Sequence, residues 1–317
     1  MTITDPASAV RLAASAAIAA GPRFHRSLAQ RLLARPQTIA SAVLLALMVL
    51  LILLGPPVGR AFGIDPAAVD LLSRFQPPSA AHPLGTDEAG RDLLLRLLEG
   101  GRVSLGIGVT IALAAAAIGT AIGLFAGYFG GRLDALLMRF TDGIIALPLL
   151  PLLIVLAAVD LGKLGLARSF VESATADFWR IAVIISLVGW TTVARLVRGA
   201  TLSLREREFV RAAQALGARP LRIILVHILP NVAGPLVVAT TLSVGNAILL
   251  ESVLSFLGLG IQPPLASWGG MLTNAQELIW SAPALAIWPG NCIFLTVICC
   301  NLLGDGLRDA LDPRSGV

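Results

Sequence analysis

RLVRGATLSLREREFVRAAQALGARPLRIILVHILPN, residues 195–231, is the stretch from which the organisation of this chain follows. It carries seven Arg against two Glu and is flanked on both sides by apolar segments. A charged, helix-patterned insert of this size belongs in water, yet almost everything around it suits hydrocarbon. The 317 residues are 56% hydrophobic and 14% charged, with a mean hydropathy of +0.83. An ordinary globular domain carries about 25% charged residues. A soluble fold with so much apolar surface would expose patches that aggregate. The chain therefore reads as an all-α polytopic membrane protein, with the insert at one of its aqueous faces. Its net charge of +5 is no nucleic-acid footprint, because the Arg residues collect at the ends of apolar segments. That distribution is the one that sets membrane topology.

Six segments fit as spans. Residues 1–36 hold five Arg and one Asp and read as a cytoplasmic N-terminal segment. Its Ala-rich patch, Leu12–Ala20, falls short of the roughly 20 apolar residues that a spanning helix needs. Residues 37–59 are free of charge and form the first span. Residues 60–102 are an outer loop with five Arg and six acids. Within it Thr86-Asp87 reads as a helix start, and Leu93, Leu94, Leu97 and Leu98 as the apolar stripe of a short amphipathic helix at the interface. A five-helix core, residues 103–304, follows and contains the insert. Its first member, Val103–Gly131, carries Gly119, Gly123 and Gly127 at four-residue spacing on one face, which lets two helix backbones approach closely. A short loop with Arg132, Asp134, Arg139 and Asp142 leads to the third span, Gly143–Val159. Pro148 and Pro151 should bend it, and both a pore-lining and a plain packing role are open.

Residues 160–180, with three basic and three acidic side chains, read as an outer loop. Phe178–Ala194 is the fourth span, Val232–Leu250 the fifth, and residues 283–304 the sixth. The loop 251–282 between the last two has two Glu and no Lys or Arg. Residues 305–317 form a cytoplasmic tail. With net +4 in the N-terminal segment and +5 in the insert, positive charge puts both termini and the insert inside. Cys292, Cys299 and Cys300 lie within the last apolar run and read as small packing residues, without metal-ligand spacing.

Inside the insert, Thr201 or Ser203 is placed to cap a first helix. Ala212, Ala213 and Gly217 then leave one flank free of bulky side chains. Gly217 reads as a helix stop and Pro220 as the start of a second short helix, which Pro230 closes. Two short helices meeting at a glycine bend would lie across the cytoplasmic face. A docking element for a groove on another protein and an ordinary solvated loop both fit this pattern.

FVRAAQALGARPLRIILVHILPN, residues 209–231, resembles the cytoplasmic "EAA" loop of membrane subunits of bacterial ABC importers. The fixed points of that pattern correspond here to Ala212, Ala213, Gly217 and Leu229-Pro230. Arg211 stands where the pattern has Glu, and Glu208 is the nearest acid on the same side. HPLGTDEAGRDLLLRLLEGGRVSLGIG, residues 82–108, and the tail GDGLRDALDPR, residues 304–314, are similar to segments of the dipeptide/oligopeptide/nickel permeases. The resemblance covers nearly all of the chain after residue 36. It implies a type I ABC importer permease fold in the bacterial cytoplasmic (inner) membrane, paired with a paralogous permease subunit. It further implies two ATP-binding subunits, which hold ATP and Mg, and a periplasmic or lipid-anchored substrate-binding protein. In that setting Glu208, Arg211, Ala212, Ala213, Gly217, Leu229 and Pro230 would contact an ATPase. Peptides are the expected cargo, with nickel, glutathione or another small solute as alternatives.

The residues speak against two rivals. A secondary transporter usually carries ionisable relays inside the membrane, whereas the acids here fall in loops, tails or at span ends, with Asp142, Asp160 and Glu251 nearest the bilayer. An enzyme would need a catalytic or metal constellation within the spans, and His25, His82 and His227 are scattered. No catalytic group, resident cofactor or metal is expected, and no G-x-x-x-x-G-K-[ST] loop occurs. No residue reads out the substrate at this level.

Overall fold

The computed structural model describes residues 35–61, 68–159, 175–263 and 265–311, together with Leu32, Asp65, Gly162 and Ser173. The expected N-terminal segment with its Ala-rich patch and His25, most of the 160–180 loop with Asp160, and the end of the tail lie outside the described residues. The described chain is helical: α1 Pro36–Ala61, α2 Leu93–Phe129, α3 Gly131–Ala146, α4 Leu149–Ala157, α5 Ala176–Arg205, α6 Glu208–Ala215, α7 Pro220–Phe256 and α8 Ala284–Leu311. Its β content among the described residues is one isolated bridge, Thr86 to Asp92. Five helices (α1, α2, α5, α7 and α8) are long and apolar enough to cross a membrane. The bent pair α3–α4 makes a sixth crossing if it counts as one span.

Several elements differ from the expectation, each for a local reason. Thr86-Asp87 does not start a helix. The Thr86 hydroxyl accepts the Gln76 amide at 2.8 Å and donates to the Ser73 carbonyl, while Asp87 gathers the Ala89 and Arg91 amides. Short polar side chains that cap helices also stabilise turns. The cap falls instead on Asp92, whose carboxylate accepts the Leu95 amide at 2.8 Å. From there α2 runs unbroken into the span, so the leucines assigned to an amphipathic interfacial helix are its first turns. Leu93 and Leu97 are buried against Trp268 and Ile52, and Leu98 packs in the same cluster.

The 132–142 stretch, expected as a loop, is helical in α3. The third span is not a single helix either: α3 and α4 meet at 86°. Leu147 is extended, as a residue preceding proline prefers. Pro151 sits in the first turn of α4, where its missing amide costs nothing. Helix α5 continues past the expected span end to Arg205. Thr201 is therefore no cap; it is fully buried in the last two turns of α5, beside Gly127. Pro220 opens not a second short helix but α7 itself, which passes through a wide π-type turn at Ile223–Ile228. Pro230, lying just beyond that turn, does not end it. In the same way α8 absorbs the first part of the tail, to Leu311.

The core is built on α2 and α5, which share the most extensive contact in the molecule. A Cβ placed on Gly119 would lie 2.6 Å from the Trp190 carbonyl oxygen, one on Gly123 2.6 Å from that of Ala194, and one on Gly127 2.7 Å from Thr201 Cβ. Only glycine permits this backbone approach. At the end away from α6, the loop after α7 folds back between helices. Trp268 is buried there, its indole N–H donating to the Leu97 carbonyl at 2.9 Å and its backbone N–H to Ser104 Oγ at 3.0 Å.

Candidate functional site

Helix α6 is the two-turn protrusion between α5 and α7. One face is anchored. Val210, 0% exposed, inserts among Val193, Val197, Ile223, Ile224 and Ile228. The other face is bare: Leu216 is 88% and Phe209 42% exposed. The helix ends in a Schellman turn, with the Ala218 amide on the Ala213 carbonyl and the Gly217 amide on that of Gln214. Gly217 has φ +78, the left-handed region that side chains disfavour, and nothing lies within 4 Å of where its Cβ would be. Its requirement is conformational, and the surface above it is open.

The named loop residues divide between two sides. Ala213 and Leu229 are partly buried and pack onto the cluster beneath α6. Glu208, Arg211, Ala212, Gly217 and Pro230 are exposed. Arg211, in the position where acid was expected, reaches Glu206 at 2.6 Å. Hydrogen bonding and attraction from Arg211 hold the Glu206 carboxyl below its ordinary range. The positive charge at the start of the insert is largely internal to the fold. Arg198 grips Asp134 through two hydrogen bonds at 2.5 and 2.6 Å, Arg195 pairs with Asp142, and Arg205 donates to the Tyr128 carbonyl at 3.0 Å. These contacts tie α2 and α3 to α5.

A cavity of about 1050 Å³ opens at the side of the bundle. One wall is the α5 stripe Ile185, Gly189, Thr192 and Leu196, and another the α7 stripe Pro235, Leu242, Asn246 and Leu249. Leu147 and Leu149 also line it, so the α3–α4 bend belongs to its wall, while Arg308 and Leu311 stand near the α6 end. Four polar residues here, Thr191, Thr192, Ser243 and Asn246, were not singled out from sequence. Their signal was a polar residue within an apolar run at the helical spacing of one face.

Glu251, expected at a span end among the acids nearest the bilayer, is placed differently by the structure. It is 0% exposed in the last two turns of α7, not at a wet span end. Ser255 Oγ donates to its Oε1 at 2.6 Å, and Ser252 and Ser267 lie beside it. Its Oε2 has no partner at hydrogen-bonding geometry among the described residues. Glu251 does not line the cavity. Cys299 and Cys300 are buried and Cys292 partly so, all as free thiols in α8. Among the described residues no group of three or more His, Cys, Asp or Glu is arranged to hold a metal.

An all-helical, multi-pass membrane subunit with a rigid protrusion at one end and an open lateral cavity is the class defined by these features. The chain belongs to the family of binding-protein-dependent transport system inner membrane components, which its residues 119–317 match. It is a transporter subunit of that family. The probable D,D-dipeptide transport system permease protein DdpC of Escherichia coli is 39% identical over 281 residues, covering 89% of each chain. The oligopeptide transport system permease protein OppC of Haemophilus influenzae is 39% identical over 276 residues, 87% of this chain and 84% of that one. The glutathione transport system permease protein GsiD of Pectobacterium atrosepticum is 41% identical over 237 residues, 75% and 74% of the two chains.

Proposed function

We propose that this chain is one of two permease subunits of an ATP-driven importer of peptides in the bacterial inner membrane. Both termini and α6 face the cytoplasm, where the Arg-rich segments collect. The lateral cavity is half of the translocation pathway, and a paralogous permease supplies the other half. Two ATPase subunits bind ATP and Mg, and a periplasmic or lipid-anchored binding protein delivers the solute. One observation carries the coupling role: α6 is bare on one face and bolted by Val210 to both α5 and α7 on the other. A push on its bare face therefore moves two spans at once, as coupling between distant sites through a rigid element requires. The likeness to a glutathione permease supports a second reading of the cargo, a modified tripeptide.

The test is reconstitution of the two permeases with their ATPases in liposomes. Binding protein loaded with di- or tripeptide, or with glutathione, should stimulate ATP hydrolysis and drive uptake of that solute. Leu216→Asp places a charge on the exposed face of α6 and touches no core. It should leave basal hydrolysis in place and lower stimulated uptake by at least about tenfold. Full uptake by this variant would refute the docking role of α6, and uptake by the permeases alone under a pH gradient would refute ATP coupling.

A further inference from the structure

We infer that Asn246, with Thr192 on the facing stripe, contacts the solute in the pathway and recognises peptide-bond amides rather than side chains. This rests on the peptide-importer reading above. Asn246 lies on α7, exposed to the cavity, and makes no hydrogen bond within the described residues. Thr192 on α5 is likewise exposed and unpaired. Their neighbours Thr191 and Ser243 differ, because each returns its hydroxyl to a backbone carbonyl of its own helix, at 3.0 and 2.8 Å. Around the two free groups the wall is aliphatic, with Ile185, Leu242 and Leu249 among its members. Among the described residues no Asp, Glu or Lys lines the cavity, and the one cation among them, Arg308, stands close to the end of α8.

Exposed to the open cavity, the carboxamide is free to pair with a solute that enters it. It offers both an N–H donor and a carbonyl acceptor. A peptide bond offers the same two functions in reverse, so one Asn satisfies an amide whatever side chain is attached. Thr192 supplies a second donor and acceptor for another amide of the same solute. A wall of this composition desolvates backbone without discriminating among side chains, as transport of varied peptides demands. The rival role for an unpaired Asn in a membrane helix is a hydrogen bond to a neighbouring helix, here across to the second permease.

The experiment uses the full complex in liposomes with three labelled tripeptides whose central residue is Ala, Lys or Glu. Asn246→Leu should lower uptake of the Ala peptide about tenfold. Subunit stoichiometry should be kept, and Asn246→Gln should restore most of the uptake. Asn246→Asp should raise the Lys-to-Glu uptake ratio at least about tenfold, and Thr192→Val should lower uptake of all three peptides alike. An unchanged ratio in an assembled Asn246→Asp complex would place Asn246 outside the pathway and overturn the inference. Loss of assembly in Asn246→Leu would assign the residue to the subunit interface instead. No peptide uptake by the wild-type complex would sink the peptide reading itself, which is a separate outcome.

Discussion

Glu251 is the residue whose surroundings differ most from what its position in the chain suggests. A carboxyl group withdrawn from water needs hydrogen-bond partners to offset the loss, and Ser255 provides one at 2.6 Å. Ser255 Oγ also accepts the Ile261 amide at 3.2 Å, and its carbonyl accepts the Thr273 hydroxyl at 3.2 Å. The carboxyl thus stands at the root of a network that pins the folded-back loop to the tip of α7. Glu251→Ala strands the Ser255 hydroxyl and opens a void. It should destabilise the subunit by about 2–4 kcal/mol, read as a lower thermal unfolding midpoint of the purified complex. Glu251→Gln keeps an acceptor for Ser255 and should lose less than half as much. Equal losses in the two variants would show that the hydrogen bond contributes nothing beyond volume.

Among the elements, the α2–α5 pair determines where everything else can sit. Dispersion and close backbone approach, rather than expulsion of water, hold such pairs together in lipid. Adding a side chain at the glycine stripe should therefore act directly on the core. In Gly123→Val the new Cβ meets the Ala194 carbonyl and Val197 at once. The helices would have to part, at a cost of about 3 kcal/mol or more. The expected result is loss of folded protein after detergent extraction. The same change at Gly143, which has nothing within 4 Å of its Cβ position, should be silent as far as packing is concerned. Recovery of the two variants in equal yield would show that the α2–α5 seam tolerates separation.

Apolar runs without charge, and the turn chemistry of Gly217 and Pro220, are local signals and were readable. The reach of α2, α5 and α8 past the expected span ends was not, because it depends on packing between elements, as where the Gly127 backbone lies against the Thr201 Cβ and methyl. The break at Pro148 was legible as a bend but not as an angle, because proline marks where a helix is interrupted and not the direction it takes afterwards. Asn246 fell inside the fifth expected span without a mark of its own, and Glu251 at the start of the outer loop expected after it. Only packing places one in an open cavity and the other in a closed network.

For the molecule as a whole, the wide turn at Ile223–Ile228 fixes an angular phase. An α-helix advances about 100° per residue, and a π-type turn holds roughly one residue more than an α-turn. The Leu229 amide closes it on the Ile224 carbonyl, and the Asn231 side chain caps the His227 carbonyl at 2.7 Å. Everything before the turn is dialled round the α7 axis by that one residue, so the turn decides which way the bare face of α6 looks. Deleting Val226, which is exposed and outside the core, would let the turn relax to ordinary helix. It would turn Ile223 and Ile224 by about 100° relative to Ile228 and so shift the seat of Val210 beneath α6. Such a variant should assemble with its partners yet hydrolyse ATP at the basal rate whatever binding protein is added. Stimulation at the wild-type level would mean that α6 finds its seat without the turn. If α6 couples to an ATPase as proposed, the bulge beside Pro230 is an indexing pin that sets its compass bearing.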